Sequence, residues 1–241
     1  MTSPKNSFVT SLLLLLVLLL GSPAYLWASQ VVGTVTHLSG PLFAKKADGA
    51  TKVLTQKSGV EQGDILITEK RTYARIKFTD NSEITLRPNS QLKIEHYSFD
   101  KDKPQEDRAV YALAKGGLRA LTGLVGKRGN PDSYQMKAPA ATIGIRGTTY
   151  ECKICTGNCG SLPNGLYFFV AEGAINVTNQ AGVQPISAGQ YGYVQDVHSK
   201  PQILPGNPGL NFSLPPTVAP DSGSHKKSDG GDSKQVDCVV R

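Results

Sequence analysis

Short stretches of alternating apolar and polar residues recur along the chain from Val31 onward. They are rich in Val, Ile, Thr, Tyr and Phe, and Gly, Asp and Asn separate them. A two-residue period is typical of β-strands with one buried face, and no stretch sustains the 3.6-residue period of an amphipathic helix. The pattern predicts an all-β domain of short antiparallel strands. A two-sheet sandwich or a jelly-roll-like domain is the favoured architecture, and a short β-solenoid is the alternative.

Two hairpins can be predicted from this alternation. In the first, a loop with an odd number of residues places Phe78 opposite Ile84, which keeps the apolar residues of both strands on one face. In the second, Glu172-Gly173 is a two-residue turn that brings Val170 opposite Ile175. Both hairpins satisfy the apolar pattern and the turn chemistry together.

The start of the chain differs from this β-rich part. An uninterrupted apolar run, Leu12–Leu20, precedes small residues, which is the form of a secretory signal peptide. The run is shorter than the roughly 20 residues that a membrane-spanning helix needs. We predict that residues 1–28 are a signal peptide, that the mature protein begins between Tyr25 and Ser29, and that no stable membrane span is left after cleavage.

The end of the chain also changes in composition. We place the β domain at residues 29–198, because prolines become frequent after Val194. Residues 199–220, the strap, are rich in proline and are expected to pack along the domain as an extended segment or to act as a linker. Residues 221–241 are polar and rich in Gly and Ser, so this tail is expected to be disordered.

The charge distribution argues against nucleic acid as a partner. The chain of 241 residues has a formal net charge of +7. Its basic residues are scattered, however, with no run longer than two. Such a pattern is typical of a solvated surface of modest charge and not of a dedicated patch for an anionic polymer.

The cysteines are the residues most capable of chemistry. Cys152, Cys155 and Cys159 lie close together, and Cys238 lies near the end of the chain. Three ligands at this spacing could bind a metal, and a redox-active pair is a further alternative. Because an exported chain meets an oxidising compartment, we predict instead a structural disulfide between Cys155 and Cys159, with no metal. Cys152 then either pairs with Cys238 or stays free.

No catalytic constellation accompanies these cysteines. The four histidines are isolated in the sequence and lack the spacing of a metal site or a nucleophile–base pair. We therefore predict that the protein is not an enzyme and uses no cofactor.

The most informative stretch is 138–150, in which an arginine lies between two glycines. If it is extended, Thr142, Gly144, Arg146 and Thr148 share one face. The glycines leave space for a flat guanidinium along the sheet. We interpret Arg146 as a structural residue whose buried hydrogen bonds tie strands together, and an exposed contact to an anion or a partner is the alternative.

This stretch resembles the Pro-x-x-x-Thr-x-Gly-x-Arg-Gly-Thr signature of FecR-type periplasmic domains. The resemblance makes Thr142, Gly144, Arg146, Gly147 and Thr148 the family-motif residues. The surrounding order is also similar, with Gly63-Asp64, Asp80 to Ser82, Glu172-Gly173 and Ala188-Gly189-Gln190. It covers the chain from about Val31 to Val194, and it implies a protein of the cell envelope of a Gram-negative bacterium.

In FecR-type regulators, this domain is the periplasmic half of a transmembrane relay between an outer-membrane receptor and a cytoplasmic segment that contacts a sigma factor. Only a short stretch precedes Leu12 here, so no direct sigma-factor contact is expected. We predict a periplasmic or secreted, non-catalytic interaction module that binds a protein partner or a cell-envelope polymer, with signal sensing as its expected context. The alternative is a small enzyme or metal-binding protein that uses the cluster Cys152, Cys155 and Cys159.

Overall fold

The described part of the chain is built almost entirely from β-strands. The computed structural model describes residues 30–128, 130, 132–211, 214–215 and 218, without the side chain of Arg146. The predicted signal peptide, the end of the strap and the predicted tail with Cys238 lie outside these residues. One short 3₁₀ turn, Pro104–Glu106, interrupts the strands of the described part. Within it, no helix is long and apolar enough to cross a membrane.

Sixteen strands have the following bounds: β1 Val31–Leu38, β2 Leu42–Lys45, β3 Thr51–Leu54, β4 Gly59–Glu61, β5 Ile65–Thr68, β6 Ala74–Phe78, β7 Glu83–Leu86, β8 Gln91–Ser98, β9 Arg108–Lys115, β10 Gly117–Leu121, β11 Tyr134–Lys137, β12 Thr142–Cys155, β13 Gly165–Asn179, β14 Gly182–Ser187, β15 Tyr191–Val194 and β16 Gln202–Leu204.

All sixteen strands belong to one hydrogen-bonded sheet. The main path has the order β3-β2-β5-β8-β9-β11-β12-β10-β7-β6-β1-β4, and β13 joins it through β12 and carries β14 and β15, with β16 beyond β15. A twisted sheet with this many strands must curl, and here it surrounds one apolar core. The all-β prediction is confirmed, and one continuous curled sheet takes the place of the two separate sheets of a sandwich.

The first predicted hairpin exists, but its register is wrong by two residues. Ile76 lies opposite Ile84, and the amide of Phe78 donates to the carbonyl of Ser82 at 2.9 Å. The buried Asp80 carboxylate accepts bonds from the amide and the hydroxyl of Ser82, which tightens the loop to three residues. The loop keeps the predicted odd length, so the apolar residues still share one face.

The second predicted hairpin is wrong. Glu172-Gly173 is not a turn, because β13 continues through it and pairs along its whole length with β12. Val170 lies opposite Tyr150, and Ile175 lies opposite Ile145. The two longest strands therefore form one antiparallel ribbon, and Gly173 marks a bend inside it.

The strap begins as part of the sheet. Its strand β16 pairs with β15, and Leu204 and Leu210 pack on an outer apolar cluster that contains Tyr167 and Tyr193. The rings of these two tyrosines lie 4.7 Å apart between centroids. The described part of the strap thus covers the outer face of β13 and β15.

Candidate functional site

The family motif lies at the bend of the β12–β13 ribbon. Gly147 and Thr148 of β12 face Gly173 of β13, between the paired residues Arg146 and Ala174 on one side and Thr149 and Glu172 on the other. Gly147 has a φ of 63° and Gly173 a φ of 76°. Both values lie in the left-handed region, which glycine adopts without steric cost.

Close backbone approach adds a second requirement for glycine at position 173. A Cβ atom there would lie 2.6 Å from the carbonyl oxygen of Gly147 and 3.1 Å from Oγ1 of Thr148. No real Cβ atom approaches a backbone oxygen so closely. The two glycines therefore allow both strands to bend at the same place without separating.

The motif threonine at position 148 ties this bend to the loop 122–128. Its amide donates to Oγ1 of Thr122 at 2.9 Å, and the amide of Thr122 donates to the carbonyl of Thr148 at 3.1 Å. Its own hydroxyl donates to the carbonyl of Ala174 at 2.7 Å. One step earlier, the amide of Gly147 donates to the carbonyl of Gly126 at 3.0 Å. This half of the motif is therefore used inside the fold.

The loop 122–128 is held in turn by Asp80. The amide of Leu124 donates to its carbonyl at 2.9 Å, and the amide of Val125 donates to its carboxylate at 3.1 Å. The hydroxyl of Tyr97 donates to the same carboxylate at 3.0 Å. Together with the two bonds from Ser82, the buried carboxylate accepts four hydrogen bonds, so this side chain anchors the loop against the bend.

The other half of the motif lines an open groove. On the outer face of the sheet, Gln135, Gly144 and Asn176 lie opposite one another across β11, β12 and β13. A Cβ atom at Gly144 would find only the carbonyl oxygen of Asn176, 4.0 Å away. The missing side chain leaves a gap between two amide side chains, and we call this cavity of about 890 Å³ the motif groove.

The described lining residues of the motif groove are mostly polar and uncharged. Thr142 and Thr178 form the next row across the strands, and Val183 at the edge strand is 54% exposed. Among the described lining residues, only Asp132 carries a charge. Amide and hydroxyl groups around an apolar floor suit an extended polar ligand that can exchange hydrogen bonds.

Arg146 follows Gly144 on the same strand, and its backbone pairs with Ala174. The side chain of Arg146 lies outside the described residues. Its predicted role as a structural residue therefore stays a prediction.

The outer face of the ribbon beyond the bend contains buried charges. The Glu151 carboxylate pairs with Arg87 and with Nη1 of Arg119, the latter at 3.2 Å. Burial raises the pKa of Glu151 above its ordinary value, although both arginines act in the opposite direction. A further bond joins Nη1 of Arg87 to the carbonyl of Asn211 in the strap at 3.3 Å.

The structure separates the three neighbouring cysteines. Cys155 and Cys159 form a disulfide on the outer face, whereas Cys152 points into the core and is fully buried. Burial raises the pKa of the Cys152 thiol to about 12. The three sulfur atoms do not form one ligand set, and among the described residues no cluster of acidic, histidine and cysteine side chains could hold a metal ion.

Several residues of these sites were not found by sequence reasoning. Gln135 and Asn176 flank Gly144 only because the register brings three strands together. Glu151 and Lys153 did leave a signal, since they alternate with Tyr150, Cys152 and Ile154 in an otherwise apolar strand. Their partners on other strands could not be read from that signal.

One comparison with known proteins concerns this same part of the chain. Residues 64–176, which include the motif and the bend, match the family model described as FecR protein. No curated protein sequence gives a significant match. Two crystal structures of a candidate anti-sigma factor from Parabacteroides distasonis ATCC 8503 are similar, with 10% and 9% identity and TM-scores of 0.46 and 0.45.

The similarity to those two structures spans 59% of this chain and 60% of theirs. The motif residues that the family signature requires lie within the segment that the family model matches. The chain thus contains a segment, residues 64–176, that matches the FecR family.

Proposed function

We propose that the protein is an exported, non-catalytic FecR-like interaction module of the cell envelope, periplasmic or secreted, which binds a protein partner or an envelope polymer. The motif groove is the binding site. The main support for this proposal is that the two halves of the motif have different surroundings. Thr142 and Gly144 line an open groove, whereas the amides of Gly147 and Thr148 form hydrogen bonds inside the fold. A motif needed only for folding has no reason to keep an open gap at Gly144.

The shape and chemistry of the groove support an extended ligand. The rows across the strands offer amides from Gln135 and Asn176 and hydroxyls from Thr142 and Thr178. These groups form hydrogen bonds with peptide backbones and with sugar hydroxyls alike. The mostly uncharged lining residues that the structure describes also agree with a partner that is recognised by shape and hydrogen bonds more than by charge.

The absence of a catalytic set among the described lining residues supports a binding role. The groove has one carboxylate, from Asp132, and contains no histidine, cysteine or lysine among the residues described there. The match to the FecR family supports a regulatory role with a protein partner. No cofactor and no direct sigma-factor contact are part of this proposal.

The export step has its own test. Amino-terminal sequencing of protein recovered from the envelope fraction is expected to give a start between Tyr25 and Ser29. Recovery of intact Met1 in the membrane fraction would contradict export with cleavage.

The binding role can be tested with a variant that fills the groove. Gly144→Thr places a side chain between Gln135 and Asn176 without a backbone clash. Gly206→Thr is the matched control, because position 206 lies in the strap and a Cβ atom there would have no other atom within 4 Å. Each variant is immobilised as the mature protein and exposed to envelope extract, and its melting temperature is measured.

We expect wild type and Gly206→Thr to retain a partner from the extract and Gly144→Thr to lose it. The melting temperature of Gly144→Thr should equal that of wild type. Equal retention by all three proteins would contradict a role of the groove. Retention of a protein band or of a polysaccharide decides which class of partner occupies it.

A further inference from the structure

A second site lies on the other half of the ribbon, where two basic side chains share one row of the outer face. The amide of Arg87 donates to the carbonyl of Gly117 at 2.9 Å, and Gly117 lies opposite Lys153. Gly117 has no side chain to separate the two cations. A Cβ atom there would come within 3.2 Å of Cδ of Arg87, so glycine lets the arginine lie along the sheet.

The charges around this row do not balance. Arg87 and Arg119 share the single carboxylate of Glu151. Lys153 forms no ion pair with any residue in the described part of the chain. Arg119 and Glu151 line a neighbouring cavity, so in this row Lys153 is the cation without an ion pair among the described residues.

The position of Lys153 makes its unpaired charge costly. Burial, and then the charge of Arg87, lower the pKa of Lys153 below its ordinary value. These surroundings disfavour the charged lysine, and a bound anion would relieve this by supplying a counter-charge.

A cavity of about 380 Å³ opens above these residues. Besides Arg87 and Lys153, its walls include Tyr73, Asn89 and Asn158. The hydroxyl of Tyr73 and the side-chain amide nitrogens of Asn89 and Asn158 donate to no group in the described part of the chain. We call this cavity the basic pocket.

We propose that the basic pocket binds a phosphate group. Lys153 and the neighbouring Arg87 guanidinium make the pocket positive, which suits an anionic phosphate group. Lysine provides a compact point charge for such a group, and the neutral donors of Tyr73, Asn89 and Asn158 suit its oxygens. This site is separate from the motif groove and does not depend on the function proposed for that groove.

Inorganic phosphate is the probe for the first experiment. The melting temperature of the mature protein is measured as phosphate replaces chloride at constant ionic strength, so that general screening does not change. The variant is Lys153→Gln. The control is Lys77→Gln, which removes the same charge from an exposed position on β6.

We expect phosphate to raise the melting temperature of wild type and of Lys77→Gln. In Lys153→Gln the affinity should fall about tenfold or more, because a charge-assisted hydrogen bond is lost. Without phosphate, Lys153→Gln should melt at the wild-type temperature or above it. An equal phosphate response in all three proteins, no response in wild type, or a less stable Lys153→Gln without phosphate would each overturn the proposal.

A second experiment separates the sources of the phosphate group. Vesicles of phosphatidylcholine with and without phosphatidic acid are floated with the same three proteins. Phosphatidic acid-dependent flotation that Lys153→Gln loses identifies a lipid headgroup as the ligand. A response to inorganic phosphate without flotation identifies a soluble phosphorylated ligand, and a flotation that Lys153→Gln retains would contradict recognition of the headgroup by the basic pocket.

Discussion

The two halves of the β12–β13 ribbon have similar inner faces and very different outer faces. Before the bend, the outer face has small neutral residues around Gly144 and stays open. Beyond the bend, it contains Glu151 and Lys153 and lies beside the strap, to which Arg87 is bonded. Both halves place apolar side chains in the same core. The halves therefore differ only in the chemistry of their outer faces.

The bend itself keeps the two surfaces apart. Thr148 forms hydrogen bonds with the loop 122–128 and with β13, and the backbones of the two glycines approach each other closely. Within seven positions, the family signature therefore combines residues that line the groove with residues whose hydrogen bonds lie inside the fold. The predictions below test each part of this division, beginning with the loop 122–128 that supports the bend.

The largest effect is expected from Gly123→Ala. A Cβ atom at this position would lie 2.3 Å from the amide nitrogen of Ser82 and 2.4 Å from the carbonyl oxygen of Asp80. The loop must then leave its anchor, which should cost about 2–4 kcal/mol of unfolding free energy. Denaturant unfolding measures this loss, with Gly206→Ala as the control. A change no larger than that of the control would show that the loop does not support the bend.

A smaller loss is expected from Thr148→Val, which keeps the shape of the side chain but removes its hydroxyl. The carbonyl of Ala174 then loses its donor inside the fold, at a cost of about 1–3 kcal/mol. Thr142→Val is the matched control, because Thr142 lies on the groove face of the same motif. Thermal unfolding of the two variants should separate them. Equal melting temperatures would remove the distinction between the two halves of the motif.

The charged half of the ribbon should show a pH dependence that Glu151→Gln removes. Burial raises the pKa of Glu151 in the folded protein above its ordinary value of 4.5. The folded state then binds the proton more tightly than the unfolded state. The stability that protonation contributes is present below pH 4.5 and is lost as the pH rises through the raised pKa.

The measurement is the unfolding free energy of wild type minus that of Glu151→Gln at several pH values. We expect this difference to fall as the pH rises from 4.5 toward neutrality. A difference that grows instead would mean that the attraction of Arg87 and Arg119 outweighs the burial of the carboxylate.

The smallest structural effect is expected at Cys152, whose thiol is buried and protonated at neutral pH. Iodoacetamide should leave Cys152 unlabelled in the native protein and should label it after denaturation. Peptide mapping without reduction should at the same time show the Cys155–Cys159 crosslink. Rapid native labelling of Cys152 would place it on the surface, against the inner face that the structure assigns to it.

Local patterns predicted the strand content and the faces of residues 142–145, but they placed Thr148 on the face of Gly144, whereas its amide and hydroxyl are bonded inside the fold. Ile143 and Ile145 are buried and Thr142 and Gly144 face outward, as alternation requires. The same patterns predicted a turn at Glu172-Gly173, where the structure has a bend. A glycine with positive φ serves both purposes, and only the partner strand with Gly147 decides between them.

The sites depend on contacts that no local pattern contains. The register of the first hairpin follows from the bonds of Asp80, and the basic pocket follows from the pairing of Gly117 with Lys153. Both involve residues far apart in sequence. A period of two identifies a strand and its faces, but it does not identify the neighbours of that strand.

The most direct test of the central claim makes one substitution at two glycines of the ribbon. Gly173→Ala introduces a Cβ atom 2.6 Å from the carbonyl oxygen of Gly147 at a φ of 76°, whereas Gly144→Ala meets no atom closer than 4.0 Å. The account predicts opposite changes in unfolding free energy, a loss of about 2–4 kcal/mol for Gly173→Ala and a gain of up to about 1 kcal/mol for Gly144→Ala. Equal losses at both positions would contradict the division of the motif into a folding half and a binding half.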